Sequence, residues 1–236
     1  MEDVAARLDR LRRRIAEAVE GSGRTPQSVH LLAVSKAQPP AAIEAAYQAG
    51  QRDFGESYVQ ELVAKAEALA HLEKLRWHFV GHLQTNKVKL VAGLIRSIHS
   101  VDSVRLVAEL EKRRAAWRNA AAGRERLEAF IEVNVGREPQ KHGALPEAAG
   151  AVLDALERSS ALEAVGLMTV PPHTDDPDGA LPFFRALAEL RERLGGAKRL
   201  PELSIGMSHD LEPAIATGAT WVRVGTAIFG ARARTQ

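Results

Sequence analysis

The 236-residue chain contains no cysteine, which excludes disulfides and thiolate metal ligands and fits a reducing compartment. It also has little net charge. Lys+Arg of 32 against Asp+Glu of 30 leaves +2, and no basic block argues for a nucleic-acid partner. No apolar run approaches the ~20 residues of a membrane span. The opening M-E-D-V-A-A-R-L-D-R-L-R-R-R lacks the apolar centre of a secretion signal. No Pro/Gly/Ser-rich linker, low-complexity tract or shift in composition divides the chain. The dinucleotide fingerprint G-x-G-x-x-G does not follow the first strand, and G-x-S-x-G is missing. A soluble, cytoplasmic, monomeric protein folded as a single domain over residues 1–236 is the expectation, with neither membrane nor nucleic acid as partner.

What is present begins with H-L-L-A-V-S-K, residues 30–36. Leu31 to Val34 form a short apolar run that suits a strand buried on both faces, and Pro39-Pro40 stop it. Lys36 sits just past the end of that strand. An ammonium there either snorkels to solvent or is held in a pocket, where a depressed pKa makes it a nucleophile towards an aldehyde.

Seven further strands follow, alternating with helices: 52–54, 77–80, 97–101, 127–133, 162–168, 203–205 and 220–224. Before the first strand, residues 2–20 read as an amphipathic helix with Val4, Leu8, Leu11, Ile15 and Val19 on one stripe. Its arginines read as a solvated face. A helix is expected from residue 58 to about His71, one over Pro146–Arg158, and one capped by Asp102-Ser103. Eight βα units in this length predict a closed (β/α)8 TIM barrel with an extra N-terminal helix; a doubly wound open sheet is the runner-up.

Barrel sites lie at the C-terminal ends of the strands. Those ends carry Lys36, Glu56, His82, Asn134, Met168, Ser208, and Arg223 with Gly225-Thr226. Phosphate is expected at strands 7 and 8, where Gly206-Met207-Ser208 and Gly225-Thr226-Ala227 offer backbone N–H groups and hydroxyls; the same residues also suit plain turns and caps. Arg223 lies on an apolar strand, and an inward arginine needs an anion or an acceptor. Glu56 and Asp210 could serve as bases or simply as helix N-terminal acids. The histidines at 78, 82, 142, 173 and 209 fall in different places without metal-ligand spacing, so no metal is expected.

The motifs L-L-A-V-S-K (31–36), F-G-E-S-Y-V-Q-E (54–61), W-H-F-V-G-H-L-Q-T-N-K (77–87), G-L-M-T-V (166–170), S-I-G-M-S-H-D (204–210) and V-R-V-G-T-A-I-F-G-A-R (222–232) together resemble the pyridoxal phosphate homeostasis protein family. That family is similar in fold to the N-terminal barrel of alanine racemase. The resemblance implies that pyridoxal 5′-phosphate is held as a Schiff base on Lys36. It further implies phosphate contacts at Ser208, Gly225 and Thr226, Arg223 opposite the pyridine nitrogen, and Asn86 and Met168 lining the pocket. Ser57 stands where the family usually has asparagine, and a hydroxyl reaches less far. The function implied is a carrier in vitamin B6 balance, serving pyridoxal-dependent apoenzymes. The alternatives are a pyridoxal-dependent enzyme such as an amino-acid racemase, and a Schiff-base aldolase that needs no cofactor.

Overall fold

In the computed structural model, which describes residues 3–120 and 126–230, Leu32 and Ala33 are both wholly buried. Adjacent residues on a strand point to opposite faces, so this strand is covered on both sides. It is β1 (His30–Val34), and it pairs in parallel with β2 (Asp53–Glu56) on one edge and β8 (Trp221–Val224) on the other. Between them run β3 (Arg76–Phe79), β4 (Ile95–Val101), β5 (Leu127–Glu132), β6 (Leu162–Met168) and β7 (Glu202–Ser204). All neighbours are parallel, and the sheet closes in sequence order from β1 to β8. The expected barrel is therefore the observed one, and the open sheet is excluded.

The helices are α1 (Val4–Gly21), α2 (Pro40–Gln48), α3 (Val59–Ala68), α4 (Val88–Val91), α5 (Val104–Ala120), α6 (Ala149–Glu157), α7 (Leu181–Arg193), α8 (Leu211–Ala216) and α9 (Thr226–Phe229). Asp3 caps α1, its Oδ1 accepting from the Ala6 amide at 2.7 Å. The stripe Leu8, Leu11, Ile15 and Val19 is buried against α2, α8 and α9, each side chain contributing roughly 1.5–3 kcal/mol. Several strand ends differ from the sequence reading by one or two residues, β2 running on to Glu56 and β4 starting at Ile95, and the helices differ further. The helix expected to reach His71 ends at Ala68, the one expected from Pro146 begins as a 3-10 turn, and α9 has no helical period to announce it. No helix among the described residues is long and apolar enough to cross a membrane.

The arginines of α1 are not simply a solvated face. Arg14 donates to both carboxylate oxygens of Glu212, at 2.5 and 2.6 Å, and to the Ser208 carbonyl at 3.0 Å. In the turn just past α1, Arg24 donates to the carbonyls of Ile215, Ala219 and Ser28. The extra helix thus clamps α8 and the turn after β7 from outside.

Candidate functional site at the C-terminal mouth

A cavity of about 340 Å³ opens at the strand ends of β1, β7 and β8. Val34, Val80, Val170 and Met207 supply apolar wall, while Lys36, Ser57, Ser208, His209, Arg223 and Thr226 supply the polar groups. The structure therefore brings together Lys36, Ser208, Arg223, Gly225 and Thr226, and it adds Ser57. It does not bring in the other two expected residues. Met168 is fully buried, its carbonyl accepting from the Val133 amide, and lies outside the cavity lining. Asn86 sits in a 3-10 turn and faces a separate depression beside α5.

Lys36 is positioned by a buried ionic cluster directly beneath it. Lys65 on α3 donates to the Ser35 carbonyl at 2.8 Å, to Glu56 at 2.8 Å and to Glu61 at 2.7 Å. The Ser35 hydroxyl donates to the same Glu56 oxygen at 2.6 Å, and Glu61 accepts the Ala37 amide at 2.8 Å. Glu56 is fully buried and its second oxygen has no hydrogen-bond partner, so burial raises its pKa against the pull of Lys65 and Ser35. Glu56 is thus an anchor for the strand end, not an exposed base. Lys65 escaped sequence reading because nothing in an exposed-looking helical heptad marks a lysine that turns inward.

Ala37 sits in the left-handed region at φ 58°, directly after Lys36. A Cβ there is strained, and such strain persists where the surroundings over-determine the backbone. Ala37→Gly should therefore stabilise the fold by up to about 1 kcal/mol, read as a higher urea midpoint with unchanged slope. A lower midpoint would show that the entropy glycine adds to the unfolded chain outweighs the relieved strain.

On the opposite side of the cavity, Gly206 has φ 91° and a Cβ there would lie 2.5 Å from that of Ala214. At Gly225 a Cβ would lie 2.9 Å from the Val34 carbonyl oxygen, so only glycine lets β8 end this close to β1. The turns they make present the Ser208 and Thr226 hydroxyls, neither engaged by another described residue. His209 donates to the Asp175 carbonyl at 3.0 Å, which ties the acidic loop after β6 to this wall.

Arg223 projects inward and is buried. Its guanidinium donates to the Ser204 carbonyl, to Ser204 Oγ at 2.8 Å and to the Thr169 carbonyl at 2.8 Å. Burial lowers its pKa to about 10, with Glu132 and Asp210 opposing, so it stays a cation at neutral pH. Behind it a hydrogen-bonded file crosses the barrel interior. A guanidinium can only donate, so Ser204 turns its proton to His99 Nδ1 at 2.8 Å. His99 Nε2–H then donates to Ser97 Oγ at 2.9 Å, and Ser97 to His78 Nδ1 at 2.6 Å. His78 Nε2–H ends the file on Asp53 at 2.9 Å. Desolvation holds His99 well below the usual imidazole pKa, so it is neutral, as the donor order requires. Burial alone would raise the Asp53 carboxyl, but the hydrogen bonds from Arg76 and His78 pull it below the ordinary range. Asp53 and His78 line a second cavity of about 370 Å³ at the barrel's other end. Of these residues only Arg223 stood out in the sequence, since inward and outward polar residues look alike on short strands.

The barrel, its site lysine and its strand 7 and 8 turns define a class, that of alanine racemase-type barrels: residues 6–233 match the family described as "Alanine racemase, N-terminal domain". The chain is 43% identical over 228 residues to the pyridoxal phosphate homeostasis protein of Aquifex aeolicus, covering 96% of this chain and 97% of that one. It is 42% identical to the protein of the same name from Pseudomonas aeruginosa, covering 98% and 97%. Among solved structures, PipY of Synechococcus elongatus with PLP bound is 37% identical, with a TM-score of 0.77 over 92% of this chain and 100% of that one. This chain belongs to the pyridoxal phosphate homeostasis protein family.

Proposed function

We propose that the chain binds pyridoxal 5′-phosphate in the mouth cavity through a Schiff base on Lys36, and serves vitamin B6 homeostasis as a cytoplasmic carrier for pyridoxal-dependent apoenzymes. The observation that carries this reading is the meeting of Lys36, Arg223 and the Ser208 and Thr226 hydroxyls around one cavity of about 340 Å³. The donor set fits the group: an amine for the aldehyde, hydroxyls for the phosphate, apolar walls for a flat ring and a cation for its nitrogen. The relative from Synechococcus elongatus, which has PLP bound, supports the same assignment. When bound, the cofactor supplies an electrophilic aldehyde conjugated to an electron-accepting ring.

The protein's own residues favour holding over turnover. Arg223 is fixed by three hydrogen bonds and remains charged, so it disfavours a proton on a ring nitrogen placed against it. An unprotonated ring accepts electrons less well, which weakens chemistry at a substrate carbon while leaving the Lys36 linkage intact. Of the two tyrosines, Tyr47 lies under Arg52, whose guanidinium carbon is 4.0 Å from the ring centre. Tyr58 is exposed and outside the cavity lining. Neither tyrosine faces Lys36 across the cavity as a racemase's second acid/base would need to.

The test is borohydride reduction of the loaded protein followed by peptide mass mapping. The pyridoxyl label should lie on Lys36, and Lys36→Ala should lose it. Label found mainly on Lys87 or Lys141 would overturn the assignment.

A further inference from the structure

We propose that His82, Asp102 and His142 form a binding site for one divalent transition-metal ion of borderline softness, such as Zn²⁺ or Ni²⁺, on the β3–β5 side of the barrel mouth. The site goes beyond the cofactor reading and does not depend on it. The three residues come from the loops after β3, β4 and β5, which the barrel places side by side. One donor atom from each lies within 4.8 Å of the other two. His82 Nδ1 and Asp102 Oδ2 are 3.4 Å apart. That is close to the ~3.3 Å that separates donors on a tetrahedral zinc with bonds of about 2.0–2.1 Å.

Two further observations suit a chelate. The Ser103 hydroxyl donates to Asp102 Oδ1 at 2.9 Å, leaving the other oxygen turned to His82. Outer hydrogen bonds of this kind orient a ligating carboxylate. The imidazoles of His82 and His142 stack at 3.7 Å between centroids and 8° between planes. Coordination by both requires one ring to leave the stack. Both residues are exposed and rotation about χ2 is soft, which allows that turn. The loop holding His142 is braced by Asn134, which donates to the Glu138 carbonyl at 2.9 Å and accepts the Glu138 amide at 3.1 Å. Two imidazoles and a carboxylate select zinc, nickel or copper over magnesium. Three protein ligands leave at least one position for water or a small oxygen ligand. The sequence hid this site because the two histidines are 60 positions apart and only barrel closure brings them together.

Isothermal titration of the full chain with zinc chloride and nickel chloride tests the proposal. One saturable site per chain is expected for each ion, with none for magnesium. His82→Ala and His142→Ala should each weaken it by about tenfold or more, and Asp102→Asn should do likewise. All three side chains lie at the surface or half-buried, and unchanged thermal unfolding of the variants confirms that folding is not the cause. Cobalt provides a second readout: the intense visible bands of a four-coordinate site should appear in the borohydride-reduced protein, in which the cofactor no longer absorbs there, and vanish in the double histidine variant. Absence of saturable binding below about millimolar metal, or binding undiminished in the double variant through His30, His71, His173 or His209, would overturn the proposal.

Discussion

Lys65→Met should destabilise the protein by roughly 3–5 kcal/mol, the usual cost of removing one partner from a buried ion pair. Lys65 is 5% exposed and Glu56 is 0% exposed, so the orphaned carboxylate has no route to water. The variant also releases the Ser35 carbonyl, which is the last fixed point before Lys36. For a chain of this length each kcal/mol lowers Tm by about 2–4 °C, so a fall on the order of 10 °C is expected. The loss should shrink as pH falls through the raised pKa of Glu56, because protonation of that carboxyl removes the uncompensated charge. Adding Glu56→Gln to Lys65→Met should recover more than half of the lost stability at pH 8. If the double variant is no more stable than Lys65→Met alone, the cost lies in packing and the charge argument is wrong.

Glu132→Gln should have the second-largest effect, and with the opposite sign. Glu132 ends β5 between Arg223 and Asp102, and desolvation pushes its pKa from 4.5 up to about 7. Arg223 pulls against that rise, and Asp102 adds to it. A carboxyl whose folded pKa is raised binds more protons in the folded than in the unfolded chain between those two values. Stability from this group is therefore complete below pH 4.5 and lost as pH rises through about 7. Glutamine has no charge to desolvate. At pH 8 the variant should be more stable than the parent by on the order of 3 kcal/mol, and near pH 4.5 by almost nothing. Unfolding midpoints measured from pH 4.5 to 8 decide this. Parallel curves for the two proteins would mean that Glu132 is hydrated and ordinary. Glu56 contributes a slope of the same sign to both proteins, so the difference between them isolates Glu132.

The barrel was legible because its signals are repetitive. Eight short apolar runs, each closed by a polar or glycine turn, suffice to specify parallel βα units, and Leu32 and Ala33 buried back to back are what such a run encodes. The strand 7 and 8 turns and Lys36 were legible for a related reason, since each stands at a strand end where composition changes abruptly. Arg223 was legible as an anomaly against Trp221, Val222 and Val224. What stayed hidden depends on inward direction or on contacts across the barrel. Lys65, Glu132, His78 and His99 look like ordinary surface or strand residues until closure fixes which way they point. Asn86 and Met168 stand outside the lining of the mouth cavity, because a motif fixes position along the chain and not which side of the wall a side chain occupies.

The file from Arg223 through Ser204, His99, Ser97 and His78 to Asp53 constrains how this barrel can diverge. An oil-like interior accepts substitutions one at a time, provided volume is kept. Here each interior member, Ser204, His99, Ser97 and His78, gives one proton along the file and takes one, so replacing any of these four with an apolar residue leaves two neighbours with buried, unmet polarity. Changes at these positions will combine non-additively: replacing Ser97 and His99 together leaves Ser204 and His78 unmet, two neighbours, the same number as either change alone. The interior of this barrel is thus inherited as a block, and an engineer who wishes to move or neutralise Arg223 must redesign down to the rim on the far side.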